Sequence, residues 1–495
     1  MVADLGATPP LLTIDGDVDT TGSDSVRFLR ESPLVHGPGA FTRAVGVEGP
    51  ASLKLHIDYP LSGSDPVRVA GDYVFAGATA SVGQSLVMRD VTGTLSFTEK
   101  GVRAPRLAGT LFGRPASLVM ASQPDGRVLS SVEGLLDSAA LREYVPAALA
   151  ARAEGTLPWK ARVLSGPDAA QVTITSDLKG LALALPEPLG KTAGEARALT
   201  VELTRLGQED QGVAVAMAGG VFARFGRASV DGATRWRAAL KFGAPFGPEP
   251  VRDGLWLYGE LPALDVDAWQ AVFPATKAAP QQAAAPSEAQ PPAQAVELRG
   301  VDLALGRARF LGRDFTQMRA RLDREGMRWS GRLDSPTIAV DIQWNGEGRG
   351  RLVSKRDRFA LPEPAPGASM TPQGDDAELP GLDIQAARFD FRGRTLGSLQ
   401  LNAEAVGPEW RIDRLDIGNS HSKFTSTGVW RRTGAGVLTT LAVKLDVNNL
   451  NALFSLFGYG DYLKRGSGNL EGTLVWPGYP SEFELAILSG TLKVE

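Results

Sequence analysis

The sequence has no cysteine and only three histidines among its 495 residues. The lack of cysteine excludes disulfides, thiol nucleophiles, iron–sulfur clusters and cysteine-ligated zinc. His36, His56 and His421 are far apart and do not form the spacing of a histidine metal site. A histidine-based metal centre or a Ser-His-Asp triad is therefore not indicated, and we expect no cofactor.

An excess of one charge and a long apolar run are also lacking. Lys and Arg number 52 against 56 Asp and Glu, so the net charge of -4 does not favour a nucleic-acid partner. Arginines between positions 307 and 332 are interleaved with acidic residues, which leads to the same expectation. No apolar run reaches the roughly 18 residues that span a bilayer, and residues 1–6 do not resemble a signal peptide. We expect a chain that is soluble as given, and a section of a longer protein, since it stops inside a predicted strand.

The dominant pattern is an alternation of apolar and polar residues, which is typical of strands with one apolar face. Frequent glycines and Asp-Gly pairs between these stretches are typical of turns. The sequence predicts a mainly β fold, in which repeats form an elongated, curved antiparallel sheet with an apolar groove and a few short amphipathic helices. A closed sandwich core would show the same alternation, so the pattern alone does not distinguish the two. The candidate groove-lining residues are Leu53, Leu55, Ile57, Ile338, Val340, Ile342, Phe389, Phe391, Leu441, Val443 and Leu445.

Three helices are predicted, each after an aspartate of the type that caps helix N-termini. The aspartates are Asp137, Asp265 and Asp446. The apolar residues of these helices include Trp269, Phe454 and Phe457, which are expected to cap, gate or plug a groove, or simply to cover a sheet edge.

Two echoes indicate internal repeats. Residues 154–159 and 471–476 differ only at their fifth position. Residues 310–313 echo residues 391–394, and Trp329 and Trp410 repeat this offset of 81 residues. We divide the chain into β-rich residues 1–134, β-rich residues with short helices 135–274, a Pro/Ala/Gln-rich linker 275–296, a β-rich repeat 297–360, a Pro-rich loop 361–380 and a β-rich repeat with a helix 381–495.

Three short motifs were weighed as sites of chemistry. The glycine-rich residues 346–350 precede a strand-like stretch, which favours a hairpin over a phosphate loop. Residues 418–422 lack the final glycine of a nucleophile elbow, and Asp375-Asp376 lack the spacing of a calcium loop. No catalytic constellation is found, and we expect a protein that is not an enzyme.

Several segments, in their order along the chain, resemble the large AsmA-like proteins of Gram-negative bacteria, and among them the YhdP type. These segments are residues 445–450, residues 466–478 and residues 488–493, preceded by weaker similarity from Gly71 onward. The resemblance implies an extended β-sheet groove in the periplasmic part of an inner-membrane-anchored protein. It also implies transport of phospholipid between the inner and outer membranes. The N-terminal anchor and the C-terminal end of such proteins are expected to be missing from this chain.

The first functional hypothesis is therefore a section of a hydrophobic conduit for phospholipid. The alternative is a non-catalytic envelope assembly or structural factor that binds a protein partner through its sheet edge. A β-rich carbohydrate enzyme with paired carboxylates is a third possibility, but the sequence suggests no such pair.

Overall fold

The computed structural model describes most of the chain. The described residues are 2–4, 10–31, 45–62, 66–82, 86–165, 170–204, 212–230, 233–247, 252–273, 297–310, 312–336, 338–346, 350–361, 380–407, 409–433, 436–459, 466–480 and 485–495. They form two compact units, unit 1 up to Gly254 and unit 2 from Leu255 onward. The finer sections drawn from the sequence stay predictions. The predicted linker 275–296 lies outside the described residues, as do the predicted loop 361–380, except for its two end residues, and Asp375-Asp376.

Unit 1 holds sixteen described strands and two α-helices. The strands are β1 (Val2–Asp4), β2 (Leu11–Thr21), β3 (Val45–Glu48), β4 (Pro50–Pro60), β5 (Arg68–Val82), β6 (Leu86–Thr98), β7 (Gly101–Leu111), β8 (Arg114–Ser122), β9 (Val128–Asp137), β10 (Ala153–Ser165), β11 (Ala170–Ser176), β12 (Leu181–Leu183), β13 (Leu199–Thr204), β14 (Gly212–Met217), β15 (Val221–Val230) and β16 (Ala233–Phe242). The helices are α1 (Gly22–Glu31) and α2 (Ala147–Ala150), with a 3₁₀ helix at Ser138–Glu143.

Unit 2 holds thirteen described strands and two α-helices. The strands are β17 (Gly254–Asp265), β18 (Leu298–Phe310), β19 (Arg313–Glu325), β20 (Arg328–Asp334), β21 (Ala339–Asn345), β22 (Arg351–Leu361), β23 (Gly381–Phe391), β24 (Arg394–Val406), β25 (Glu409–Gly418), β26 (Ser422–Thr433), β27 (Gly436–Val447), β28 (Gly468–Pro477) and β29 (Ser489–Val494). The helices are α3 (Val266–Val272) and α4 (Leu450–Leu456), with a 3₁₀ helix at Leu485–Ile487.

The prediction of a mainly β fold with a long sheet and a few short helices is confirmed. In unit 1, β4 to β11 pair in sequence order, and β13 to β16 follow β11. In unit 2, every strand from β17 to β29 pairs with the next along the chain. Each strand therefore has its partners close in sequence.

The predicted antiparallel pairing does not hold at two places. β17 and β18 are parallel, as are β22 and β23. Parallel neighbours require a connection of a dozen or more residues, so that the chain can return to the other end of the sheet. The two proline-rich segments, residues 274–296 and 362–379, lie between these strands in the sequence.

One of the two sequence echoes falls at equivalent structural positions. Phe310 ends β18 and Phe391 ends β23; each strand is the second member of a parallel pair and is antiparallel to the strand that follows it. The other echo, between residues 154–159 and 471–476, places Trp159 at the middle of β10 and Trp476 one residue before the end of β28, and both side chains are buried.

The predicted helix starts are correct for one helix of three. The Asp265 side chain accepts a hydrogen bond from the Ala268 backbone and caps α3. Asp137 precedes a 3₁₀ helix and makes no such cap. The third prediction is wrong, because Asp446 belongs to β27 and α4 is capped by Asn449 instead.

Candidate functional site

One face of the unit 1 sheet is apolar because strands pair in registers that place apolar residues opposite each other. Residues directly opposite on neighbouring strands share a face of the sheet. The series begins with Leu53 on β4 opposite Tyr73 on β5, and ends with Val201 on β13 opposite Val215 on β14. Further opposed pairs between them are Tyr73 and Leu95, Phe97 and Val102, Ala104 and Met120, Leu118 and Val132, Val132 and Ala161, Ala161 and Ile174, and Ile174 and Val201.

Unit 2 has a second continuous apolar face, built in the same way. Its series runs from Leu303 on β18 to Val443 on β27. The opposed pairs are Leu303 and Ala320, Ala320 and Leu333, Leu333 and Val340, Ile342 and Ser354, Ser354 and Ile384, Ile384 and Leu401, Leu401 and Leu415, Leu415 and Ser426, and Ser426 and Val443. Most of the pairs are aliphatic, and two serines interrupt the series.

The structure places the predicted lining residues on these two faces in separate groups. Leu53, Leu55 and Ile57 pack with Val69 and Phe97 in unit 1. Six of the eleven predicted residues are partly buried. The other five, all in unit 2, are buried: Ile338, Val340, Phe389, Leu441 and Val443. Their role in a lipid groove stays a prediction.

The apolar faces are only partly covered. β13 and β14 show this most clearly, because none of the twelve residues in these two described strands is buried. Val201 and Val215 lie opposite each other there and remain partly exposed. In a closed sandwich the inner faces of both sheets are buried against each other. These strands therefore present apolar surface that the described residues of unit 1 leave incompletely covered.

The opposite face is polar and charged. Asp15 and His56 are opposed on β2 and β4, and the His56 Nδ1 lies 2.7 Å from an Asp15 carboxylate oxygen. This hydrogen bond, together with the charge of Asp58, raises the pKa of His56 above its ordinary value of 6.5. His56 is exposed on this face.

The arginines between 307 and 332 are also neutralised by acidic partners. Arg309 pairs with Asp314 at 2.9 Å, and Arg319 pairs with Asp302 at 3.1 Å. Such exposed pairs contribute little to stability. They do show why this arginine-rich stretch is not a continuous basic surface.

Helical segments cover the apolar face of unit 1 along one edge of its sheet. β2, β9 and β11 run in the same direction, so their last residues lie at the same edge. β2 leads into α1, and β9 leads into the Ser138–Glu143 3₁₀ helix. β11 leads into a long irregular segment, residues 177–198, which contains β12. We call this edge of a sheet its helix edge and the opposite one its hairpin edge.

The 177–198 segment packs directly on the apolar face of unit 1. Leu178 and Leu181 are buried in the same cluster as Tyr73 and Trp159. Lys191 holds the segment in place, because its buried ammonium donates hydrogen bonds to the backbone carbonyls of three residues: Leu178, Leu181 and Thr192. Burial lowers the pKa of Lys191.

In unit 2 the helices also lie at the helix edge, where β17 and β27 end. The Gly312 amide at the start of β19 donates to a carboxylate oxygen of Asp267 on α3, at 2.8 Å. Arg394 at the start of β24 donates to the carbonyl of Leu456 on α4, at 2.6 Å, and its guanidinium lies 5.6 Å from the centre of the Phe457 ring. These contacts fix both helices beside the sheet edge. The prediction that Trp269, Phe454 and Phe457 lie on helices is correct for the first two, whereas Phe457 follows α4 and is exposed.

Two elements at the helix edge of unit 1 are not predicted from the sequence. α1 was not predicted, although Thr21 and Asp24 form a capping pair in which the Asp24 amide donates to the Thr21 hydroxyl. The 177–198 segment was also missed, because it has no helical or alternating pattern. The sequence of this segment shows only a lysine in a proline- and leucine-rich stretch, and this composition does not indicate that the lysine is buried.

The serine and histidine motif at residues 418–422 lies at a connection between two strands. Residues 419–421 connect antiparallel β25 and β26, and no helix follows them, so a nucleophile elbow is absent there. β21 and β22 are likewise antiparallel neighbours, as expected for a hairpin. Among the described residues, no group of three or more acidic or histidine side chains could hold a metal ion. Nor is any helix within the described ranges both long and apolar enough to cross a bilayer.

Comparison with known proteins gives two matches and one negative result. A curated protein of Escherichia coli (strain K12), named intermembrane phospholipid transporter YhdP, is 21% identical over 98% of this chain. The chain spans only 38% of the length of that protein. No solved structure matches. The YhdP protein family model matches residues 1–495, and the chain therefore belongs to the YhdP family.

Proposed function

We propose that this chain is a section of a conduit that carries phospholipid between the inner and outer membranes of a Gram-negative bacterium. In this proposal the chain lies in the periplasm as part of a protein anchored in the inner membrane, and it acts without catalysis. The name of the E. coli relative supports phospholipid as the ligand. Membrane contacts would be made by parts of the protein outside this chain.

The observation that carries the proposal is the continuous apolar face that is left partly exposed. Soluble proteins rarely expose large contiguous apolar surfaces unless these surfaces bind something. At β13 and β14 the exposure extends across neighbouring strands, with Val201, Leu203, Val213 and Val215 all partly exposed. A series of partly covered apolar residues running from strand to strand suits a ligand that is long and uniformly apolar.

Acyl chains match this surface energetically. Each CH₂ group that leaves water for an apolar surface contributes about 0.8 kcal/mol. A lipid needs no specific polar contact to gain this energy, so it can move along the face from one set of residues to the next. The opposite, charged face offers no comparable surface.

The test compares two substitutions that differ only in the face they reach. Val215 lies on the apolar face of β14 and is partly buried, whereas its neighbour Ala216 is exposed on the polar face. Val215→Asp places a carboxylate where acyl chains would lie, and Ala216→Asp adds the same charge on the other side. The wild-type chain and both variants are purified under identical conditions. Lipid is then measured by native mass spectrometry and by extraction.

We expect phospholipid to co-purify with the wild-type chain and with Ala216→Asp, and to be lost from Val215→Asp while its circular dichroism stays native. A lipid-free wild-type chain would refute the proposal and favour the alternative of a protein-binding envelope factor. Equal lipid in both variants would also contradict it, because the apolar face would then not be the binding surface. If Val215→Asp unfolds, Leu203→Asp on neighbouring β13 serves as the second variant, with Glu202 marking the polar face.

A further inference from the structure

The tryptophans of the unit 2 sheet are all at one edge. Six tryptophans belong to described strands of this unit, and each lies within four residues of the hairpin-edge end of its strand: Trp256, Trp329, Trp344, Trp410, Trp430 and Trp476. All of them except Trp256 lie on the apolar face. Trp329 is directly opposite Trp344 there, and Trp410 is directly opposite Trp430. Trp476 continues the row beyond Thr439, which lies between it and Trp430.

The phenylalanines of the same strands are all at the other edge. Six belong to described strands of unit 2, and each lies within three residues of the helix-edge end: Phe310, Phe315, Phe359, Phe389, Phe391 and Phe424. Phe359, Phe389 and Phe391 form one group, with ring centres about 6 Å apart. Unit 1 has no such separation, since Phe97 is near its hairpin edge and Trp159 is at the middle of β10.

Tryptophan and phenylalanine differ in one property that bears on lipid. Both rings are large and apolar, but the indole carries an N–H donor and prefers the boundary between hydrocarbon and water. In membrane proteins, tryptophan is accordingly enriched at the level of the lipid headgroups. Phenylalanine has no polar group and suits the hydrocarbon itself. The two rows therefore give the apolar face of unit 2 an edge lined by indole rings and an edge lined by phenyl rings. In the tryptophan row, Trp410, Trp430 and Trp476 are buried, whereas Trp329 and Trp344 are partly exposed.

The two edges differ in the elements that lie beside them. At the helix edge, α3 and α4 are tied down by Asp267 and Arg394 next to the phenylalanine row. At the hairpin edge, the guanidinium of Arg324 lies 5.6 Å from the ring centre of Trp329, on the apolar face. Its side chain is about one-quarter exposed and pairs with Glu297. A charged group thus lies in the tryptophan row, at the edge where the described residues of unit 2 form no α-helix. Arginine is found beside the other row as well, since the guanidinium of Arg392 lies 5.3 Å from the ring centre of Phe391.

We propose that phospholipid lies across the apolar face of unit 2 with its headgroup end at the tryptophan row and its acyl-chain ends at the phenylalanine row. This inference rests on the proposed function and adds an orientation to it. The headgroups would remain in water along the hairpin edge. The chain ends would be covered at the helix edge by α3 and α4.

The test uses quenching of tryptophan fluorescence by bromine, which acts only at close range. The probes are two phosphatidylcholines, one brominated on the acyl chains near the headgroup and one near the terminal methyl groups. The contribution of Trp329 and Trp344, which are partly buried, is obtained by subtracting the signal of the Trp329→Phe/Trp344→Phe variant. Phenylalanine preserves the aromatic pair between β20 and β21. A matched reporter at the opposite edge is Phe359→Trp in that double variant.

We expect Trp329 and Trp344 to lose more fluorescence with bromine near the headgroup, and the tryptophan at position 359 to lose more with bromine near the methyl groups. The reverse order, or equal quenching of both reporters by both probes, would overturn the orientation while leaving lipid binding intact. Absence of quenching, together with no lipid in an extract of the same sample, would overturn the proposed function and the orientation with it. Lipid in the extract without quenching of either reporter would overturn the orientation alone, since the lipid would then lie elsewhere.

Discussion

Lys191→Met tests whether the buried ammonium holds the 177–198 segment on the apolar face of unit 1. The substitution keeps an unbranched side chain of similar length but removes the charge and all three donors. The carbonyls of Leu178, Leu181 and Thr192 would each lose a hydrogen bond. We therefore expect the segment to loosen and unit 1 to lose stability.

The magnitude follows from two opposing contributions. Hydrogen bonds to charged groups contribute about 1.5–3 kcal/mol each. Part of this gain is offset in the native protein by the cost of removing the ammonium from water, which is several kcal/mol for a buried ion. The lowered pKa of Lys191 reflects that cost. The net loss on substitution should be about 2–4 kcal/mol, since three partners are left and two of them keep a backbone bond: the Leu178 carbonyl from the Leu181 amide and the Thr192 carbonyl from the Glu195 amide.

Lys179→Met is the matched control, because it removes the same charge from an exposed position of the same segment. Surface substitutions of this kind change stability by about 0.5 kcal/mol or less. Urea denaturation followed by circular dichroism measures both variants, and hydrogen exchange of the β12 amides reports the segment itself. Equal stability of the two variants would refute the reasoning, because the three carbonyl contacts would then contribute nothing that water does not replace.

Three further predictions concern single contacts. The hydrogen bond to Asp15 raises the pKa of His56, so protonated His56 should stabilise the folded chain. This stabilisation should be complete below about pH 6.5, the unfolded pKa, and be lost as the pH rises through the higher folded pKa. NMR titration should show the raised pKa, and His56→Gln should remove that part of the pH dependence of stability. Gly428→Ala should destabilise unit 2 by about 1–3 kcal/mol, because the added carbon would lie 2.2 Å from a carbonyl oxygen of β27. The control is Gly16→Ala, where the added carbon has open space and the substitution should be close to neutral in the same denaturation experiment. Asp265→Ala should cost about 1 kcal/mol and speed hydrogen exchange in the first turn of α3, an effect that would be absent if the cap contributed nothing.

Strand positions were predictable from the sequence because each strand shows its own alternation. Leu53, Leu55 and Ile57 identify β4 without any knowledge of its neighbours, and Leu441 to Leu445 identify β27 in the same way. Strand direction has no comparable local signal, since a parallel and an antiparallel strand alternate identically. The two parallel pairs could have been inferred only from the length of the proline-rich connections before them.

Helix starts show a different limit. Asp446 and Asn449 are both residues that cap helices, and the sequence favours neither. The structure selects Asn449 because Asp446 is opposite Lys423 and Asn469 in the β-ladder, and extended pairing on both sides excludes a helical start. Tertiary pairing thus decides between two local signals of equal strength.

The separation of tryptophan and phenylalanine could not be seen in the sequence at all, because it depends on the direction and register of every strand. Trp329 and Trp344 are 15 residues apart in the chain but directly opposite each other in the sheet. A closed hydrophobic core has no reason to divide its aromatic residues in this way, since both ring types are equally removed from water there. A face that binds a ligand with one polar end does have a reason, because of the two ring types only indole can satisfy both hydrocarbon and a polar boundary. Trp329 and Trp344, which are partly exposed, are placed for this role, whereas Trp410, Trp430 and Trp476 are buried. The arrangement of the aromatic residues therefore points to the same kind of ligand as the incomplete burial of β13 and β14: a molecule with a long apolar part and one polar end.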